Sequence, residues 1–167
     1  MENKYVCSVD IGGTKIATAI MVYPADGSVP HPVFEAEVPT EAQEGGEAVF
    51  QRIEASIKAA LEANPDVEVL GVGIGAAGVV DPKTGAIAYA NEIMPGWSGV
   101  QLGPRLREDL GLPVAVVGDV QAHALGEAHW GVGKGKFSVL CLGIGTGIGG
   151  AYVENGRVMQ GFHGAAG

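Results

Sequence analysis

"CSVDIGGTKIATAIM", residues 7–21, sets Asp10, Gly12, Gly13, Thr14 and Lys15 between two apolar runs. The flanking runs, "YVCSVDI" (5–11) and "KIATAIMVY" (15–23), read as strands joined by a tight Gly-Gly turn. A charge and two glycines at a turn inside a core are poor packing but useful at a ligand site. Two glycines let backbone N–H groups approach a phosphate, Thr14 adds a hydroxyl donor and Lys15 a charge. Asp10 repels phosphate unless a cation lies between them, and Mg²⁺, directly or through its waters, reconciles the two. The competing explanation is a plain hairpin with an incidental Asp, and this turn alone does not separate them.

Outward from the turn, Ala, Ile, Met and Val occupy both faces of the 15–23 run, which predicts a central strand. "VFEAEV" (33–38) alternates cleanly and predicts a half-exposed edge strand, so three strands in series form an antiparallel meander. Val49, Ile53, Ile57 and Leu61 recur every four residues and predict a helix over 45–63, stopped by "NPD". A strand follows at 67–75, a short helix at 102–110, a strand at 112–119 and a helix at 119–131 closed by glycine. "VVDPKTGAI", after Gly78, reads as a turn.

Residues 137–160 repeat the opening grammar: strand, Gly-rich turn, strand, Asn-Gly hairpin, strand. Two related domains are expected, residues 1–135 and a second starting at 136–167. Three strands without a covering helix are marginal, so the chain is expected to be the N-terminal portion of something longer.

Composition narrows the classes. Of the 167 residues, 47% are hydrophobic and 17% charged, which supports a sizeable core. Glycine, 28 residues, is about twice its usual share, as many close backbone turns require. The net charge is −9 and the ten Lys and Arg residues form no basic stripe, so nucleic acid and anionic membrane are poor partners. Cys7 and Cys141 sit in apolar runs and read as buried thiols of a reducing compartment. The opening apolar run is too short for a signal peptide, and none approaches the about 20 residues of a membrane span. A cytoplasmic protein is expected.

Rival glycine motifs fail on context. "GIGAAG" (73–78) and "GTGIGG" (145–150) match G-x-G-x-x-G, but neither opens a helix as dinucleotide binding requires. "GVGKGKF" (131–137) is one residue short of a P-loop and lacks its hydroxyl. "GTG" (145–147) is by the same logic a second cradle, or simply another hairpin; together the two turns could grip one polyphosphate from both sides. Asp119 follows an apolar strand and opens a helix. It reads either as a helix N-cap or as a general base at a strand's carboxyl end, accepting a proton from a substrate hydroxyl. Asn91, in the loop "ANEIMPGWSG" (90–99) with Trp97, offers a donor and an acceptor suited to sugar hydroxyls, or is a polar turn residue. His31, His123, His129 and His163 show no metal-ligand spacing.

Taken in order, "DIGGTK", "ANEIMPGW", "GDVQAHALGE" and "LGIGTGIGGAYVENGRVMQGFHGAAG" resemble the ROK family of bacterial sugar kinases and repressors. The resemblance implies an α/β, actin-like ATPase (ribonuclease H-like) fold, a mixed sheet with helices on both faces, followed by the start of a second similar domain with a cleft between. It implies a first phosphate loop of Asp10, Gly12, Gly13, Thr14 and Lys15 and a second of Gly145, Thr146 and Gly147. Asn91 would bind sugar hydroxyls, Gly78 would line the sugar pocket through its backbone, and Asp119 would be the catalytic base. ATP and Mg²⁺ are the implied cofactors, Mg²⁺ near Asp10, with zinc expected only in the missing C-terminal portion.

Two departures follow from the same resemblance. The family usually has Asn immediately before the catalytic Asp, where this chain has Gly118. Its "GEIGH" stretch and cysteine-rich motif come after "HGAAG", where this chain ends. The implied activity is ATP-dependent phosphorylation of a hexose or N-acetylhexosamine, with a non-catalytic sugar-sensing module as the alternative. The isolated fragment is expected to be inactive and the full-length protein a homo-oligomer. The first strand starts by residue 5, which argues against a repressor.

Overall fold

A computed structural model describes residues 2–144, 148–162, 164 and 166. β1 (Lys4–Ile11), β2 (Lys15–Tyr23) and β3 (His31–Pro39) form the expected antiparallel meander. Helix α1 (Gly46–Glu62) crosses to β4 (Val69–Ala76), which pairs with β1 in parallel. A small antiparallel hairpin, β5 (Val79–Val80) and β6 (Ile87–Tyr89), stands where the sequence suggested only a turn. The Asp81 carboxylate builds its bend by accepting from the N–H groups of Lys83 and Thr84. Then come α2 (Leu102–Leu110), β7 (Val114–Gly118), parallel to β4, and α3 (Asp119–His129). The sheet order β3-β2-β1-β4-β7 puts β3 at an edge, as its alternation predicts.

The main core lies on one face of this sheet. Val49, Phe50, Ile53 and Ile57 of α1 recur at three- and four-residue spacing and pack on Cys7, Val9 and Ile11 of β1 and Ile16 and Ile20 of β2. Arg105 of α2 lies 3.6 Å over the Phe50 ring and forms a bidentate pair with Glu47. A buried hydroxyl pair, Thr18 Oγ1 and Ser56 Oγ at 2.7 Å, ties β2 to α1.

β2 is interior to the sheet, but its two faces are unequal. Ile16, Thr18, Ile20 and Val22 are buried, whereas Ala17, Ala19 and Met21 are only half covered. The far face is covered by α3 over part of its width, where Ala122 lies on Gly75. Helices therefore stand on both faces.

α3 also carries a second sheet, β8 (Ser138–Ile144), β9 (Ile148–Glu154) and β10 (Arg157–Val158), in the order β10-β9-β8. One face of it packs on α3 through Ala151, Val153, Val139 and Cys141 against Val120, Ala124 and Ala128. Among the described residues no helix is long and apolar enough to cross a membrane.

Candidate functional site

β1, β4 and β7 run in the same direction and end level with one another, Ile11 opposite Ala76 and Ala76 opposite Gly118. The residues that follow are therefore delivered to one edge of the sheet: the Gly12–Lys15 turn after β1, Ala77 and Gly78 after β4, and Asp119 after β7. Carboxyl ends of parallel strands are where open α/β sheets gather ligands.

The turn is held by few bonds, all of them specific. The Gly12 N–H donates to the Lys15 carbonyl at 3.0 Å and closes the hairpin. Thr40, fully buried beyond the end of β3, donates its hydroxyl to the Gly12 carbonyl at 2.7 Å and its N–H to the Thr14 carbonyl at 2.9 Å. Among the described residues the Gly13 and Thr14 N–H groups have no backbone partner. Lys15 turns aside: its ammonium donates to Glu37 on β3 at 2.6 Å. Glu37 holds the Lys15 pKa above its ordinary range, with a smaller push from Asp10.

Asp10 and Asp119 flank a single glycine. A Cβ at Gly75 would stand 3.5 Å from the Asp119 Cα and 3.7 Å from Asp10 Oδ1. The bare backbone of β4 is thus what lets the start of α3 settle beside the Asp10 carboxylate. Asp10 is exposed, and its carboxylate accepts no hydrogen bond from the described residues.

Asp119 is the first residue of α3 rather than its N-cap, so the capping explanation of this carboxylate does not hold. Gly118 occupies the cap position, and its N–H donates to Gln121 Oε1 at 3.2 Å. Asp119 is half-buried, and Oδ1 accepts from the Val120 N–H at 2.8 Å.

Gly78 and the 90–99 loop meet on the same side. Gly78 has φ +102°, and a Cβ there would lie 2.6 Å from the Tyr89 carbonyl and 3.3 Å from Ala90 Cβ, so only glycine fits against the residues leading into Asn91. Trp97, fully buried, fixes the loop by donating its indole N–H to the Ala77 carbonyl at 3.1 Å. Asn91 is exposed; Oδ1 accepts from the Ile93 N–H, and its amide N–H₂ has no partner among the described residues. Ile93 in turn reaches the first turn, 3.5 Å from where a Gly13 Cβ would stand.

Gly145, Thr146 and Gly147 lie outside the described residues, but both strands leading to them are seated on α3. Gly143 and Gly149 face each other across β8 and β9, and Val120 rests on the pair. A Cβ at Gly149 would be 2.9 Å from Val120 Cγ2, and one at Gly143 3.2 Å. The residue next to Asp119 therefore sets where the second hairpin sits.

A cavity of about 240 Å³ opens here, lined by Gly78, Gly118, Asp119, Gln121, Gly149 and Gly164 among others. It is below the about 300–1,000 Å³ of a whole ligand pocket. A larger groove, about 640 Å³, runs over the half-covered sheet face beside α3. Asp10 is the one candidate residue that lines it; small side chains such as Ala17, Ala19 and Ala115 make the floor, so it is an open sheet face rather than the reacting edge.

The site thus joins Asp10, the first turn, Gly78 and Asp119 on one edge, in the order of the sequence motifs, and the ROK family profile matches residues 6–167. The chain belongs to the ROK family. It is 34% identical over 169 residues to a glucokinase of Halalkalibacterium halodurans, covering all of this chain and 49% of that protein. It is 33% identical to a beta-glucoside kinase of Listeria monocytogenes over 93% of this chain and 49% of the other. A crystal structure of a ROK family glucokinase from Streptomyces griseus, in complex with glucose and AMPPNP, superposes with a TM-score of 0.81 at 34% identity, over 97% of this chain and 48% of that one.

The fold is accordingly that of the ROK sugar kinases, actin-like, and the chain spans about half the length of the relatives it matches. Three features of the site carry no sequence signal of their own: Thr40 behind the first turn, Gln121 behind Gly118, and the glycine seat of Val120.

Proposed function

We propose that the complete protein transfers the γ-phosphoryl group of ATP to a hydroxyl of a hexose or N-acetylhexosamine. The observation that carries this reading is the shared edge at which β1, β4 and β7 present an anion-receptive turn, the Gly78 backbone and a half-buried carboxylate. In it, residues 1–135 form the sugar and phosphate domain, and 136–167 begin the nucleotide domain.

Asp119 accepts the proton as the sugar oxygen attacks the γ-phosphorus in line, and ADP leaves with the electrons of the broken P–O bond. Asn91 and the Gly78 backbone orient the sugar ring; the free N–H groups of Gly13 and Thr14, with the Thr14 hydroxyl, hold phosphate oxygens, and Gly145, Thr146 and Gly147 hold them from the other side. With Lys15 paired to Glu37, the backbone bears most of that task.

Mg²⁺ fits this donor set. The described residues contain no cluster of three or more possible protein ligands, and Asp10 offers one exposed carboxylate beside the turn. That matches an ion that keeps its waters and is held by one carboxylate plus phosphates. When bound it neutralises phosphate charge.

In the complete protein, Asp119→Asn is expected to lower phosphorylation by about 10²–10⁴-fold while circular dichroism and the melting temperature stay near wild type. A coupled ADP-release assay over a sugar panel reads it. Near-normal turnover by the variant would refute the base assignment.

A further inference from the structure

We infer that Thr40 is the positioning residue of the first phosphate turn, a role that rests on the reading of that turn as an anion site. Thr40 is fully buried, yet all of its polar groups are engaged. Its hydroxyl donates to the Gly12 carbonyl at 2.7 Å and its N–H to the Thr14 carbonyl at 2.9 Å. These two carbonyls flank Gly13. Left free, carbonyl oxygens in a turn of two glycines can rotate toward a bound anion and repel it. Drawn back onto Thr40, neither carbonyl faces a bound anion, and the Gly12 carbonyl turns the N–H of its own peptide unit, that of Gly13, the opposite way.

Thr40 is itself braced. Its carbonyl accepts from Arg52 Nη1 of α1 at 3.3 Å, and the same guanidinium pairs with Glu41 and Glu44. Glu41, the next residue, sits in the left-handed region at φ 48°, ψ 49°, where a residue with a side chain is uncommon. Such a conformation persists when its surroundings over-determine it, and these places cluster at functional sites. Here the pairing of β3 with β2, Pro39 opposite Lys15, brings Thr40 behind the turn, and the chain then bends at Glu41 toward α1, where Arg52 holds it. A turn, a buried hydroxyl and a helix-borne cation thus form one continuous brace from the core to the anion site.

The test uses the complete protein, with MgATP as probe, by isothermal titration calorimetry and steady-state kinetics. Thr40→Val keeps the shape and removes the hydroxyl. It is expected to weaken MgATP binding about tenfold and raise the KM for ATP by a similar factor, with the KM for sugar within about twofold of wild type. Thr40→Ser restores the donor and is expected to bring MgATP binding back to within about threefold of wild type. Should the valine variant not fold, Arg52→Gln leaves Thr40 in place but loosens its anchor, with about threefold weaker MgATP binding expected.

Unchanged MgATP affinity in a folded Thr40→Val protein, or in Arg52→Gln where that variant stands in, overturns the role of Thr40 and leaves the kinase reading standing. So does an equal rise in both KM values, the mark of a general structural defect. Weakened MgATP binding by Thr40→Val, in a protein whose wild type turns over no sugar, supports Thr40 and overturns the kinase reading. A wild-type protein that does not bind MgATP overturns both.

Discussion

The five-stranded and three-stranded sheets of this chain share a grammar and differ in what covers them. In the first, Ile11, Ile16, Ile20 and the α1 residues Ile53 and Ile57 are wholly buried in one continuous core. In the second, β8 and β9 turn one face to α3 and the other outward, leaving Leu140 67%, Leu142 60% and Ile144 79% exposed along β8, with Ile148, 80% exposed, opposite Ile144. Contiguous apolar surface of this kind on a protein marks a contact face. Alternation along a strand chooses which side chains share a face, but it does not supply the element that buries them. The chemistry follows the same division: the first turn is tied from behind by a buried Thr40, whereas the second hairpin rests on α3, with Val120 against its glycine pair.

The largest expected contrast in stability is between matched truncations in the two sheets. Ile53→Ala should lower the unfolding free energy of this chain by about 2–5 kcal/mol, since it opens a cavity in a closed core. Leu142→Ala should change it by less than about 0.5 kcal/mol, since its side chain is already in water. Urea unfolding followed by circular dichroism measures both, and a comparable loss at Leu142 would mean that the second sheet has a cover the fold does not show.

An intermediate effect sharpens the comparison at the joint between the sheets. Gly149→Ala puts a methyl 2.9 Å from Val120 Cγ2 and should cost about 1–2 kcal/mol. Combining it with Val120→Ala, which makes room, should recover part of that loss, a coupling that a double-mutant cycle reads directly. Strict additivity would show that Val120 does not seat the second hairpin.

The smallest effect is a chemical one. Burial pushes the Cys7 thiol up to about 12, so it should resist a thiol–disulfide reagent at about pH 8 until the chain unfolds. Cys141, half-buried on the second sheet, should react first. Fast labelling of Cys7 in the native chain would erase the distinction between the closed core face of the first sheet and the more open second sheet.

Much of this organisation is legible in the residues themselves. The Gly-Gly turn, the edge strand and α1 could be placed because their patterns are local: turn chemistry, a period of two, a period near four. α1 still differs in detail, for Phe50 takes a core position and Leu61 is only partly covered. The β5–β6 hairpin escaped because its strands are two and three residues long, too short for any alternation to register. Asp119 was ambiguous between cap and base, and only backbone geometry, with Gly118 as the cap, removed the first option.

By itself, then, the sequence determined the longer strands, the α-helices, the family and the candidate carboxylates, because each depends on neighbours in the chain or on motif order. Tertiary structure alone decided that Lys15 turns to Glu37, that Thr40 bonds a turn residue 28 positions earlier in the chain, and that Asp10 and Asp119 flank Gly75. Those relations come from strand register and parallel crossovers, which bring distant residues to one edge and leave no trace in local composition.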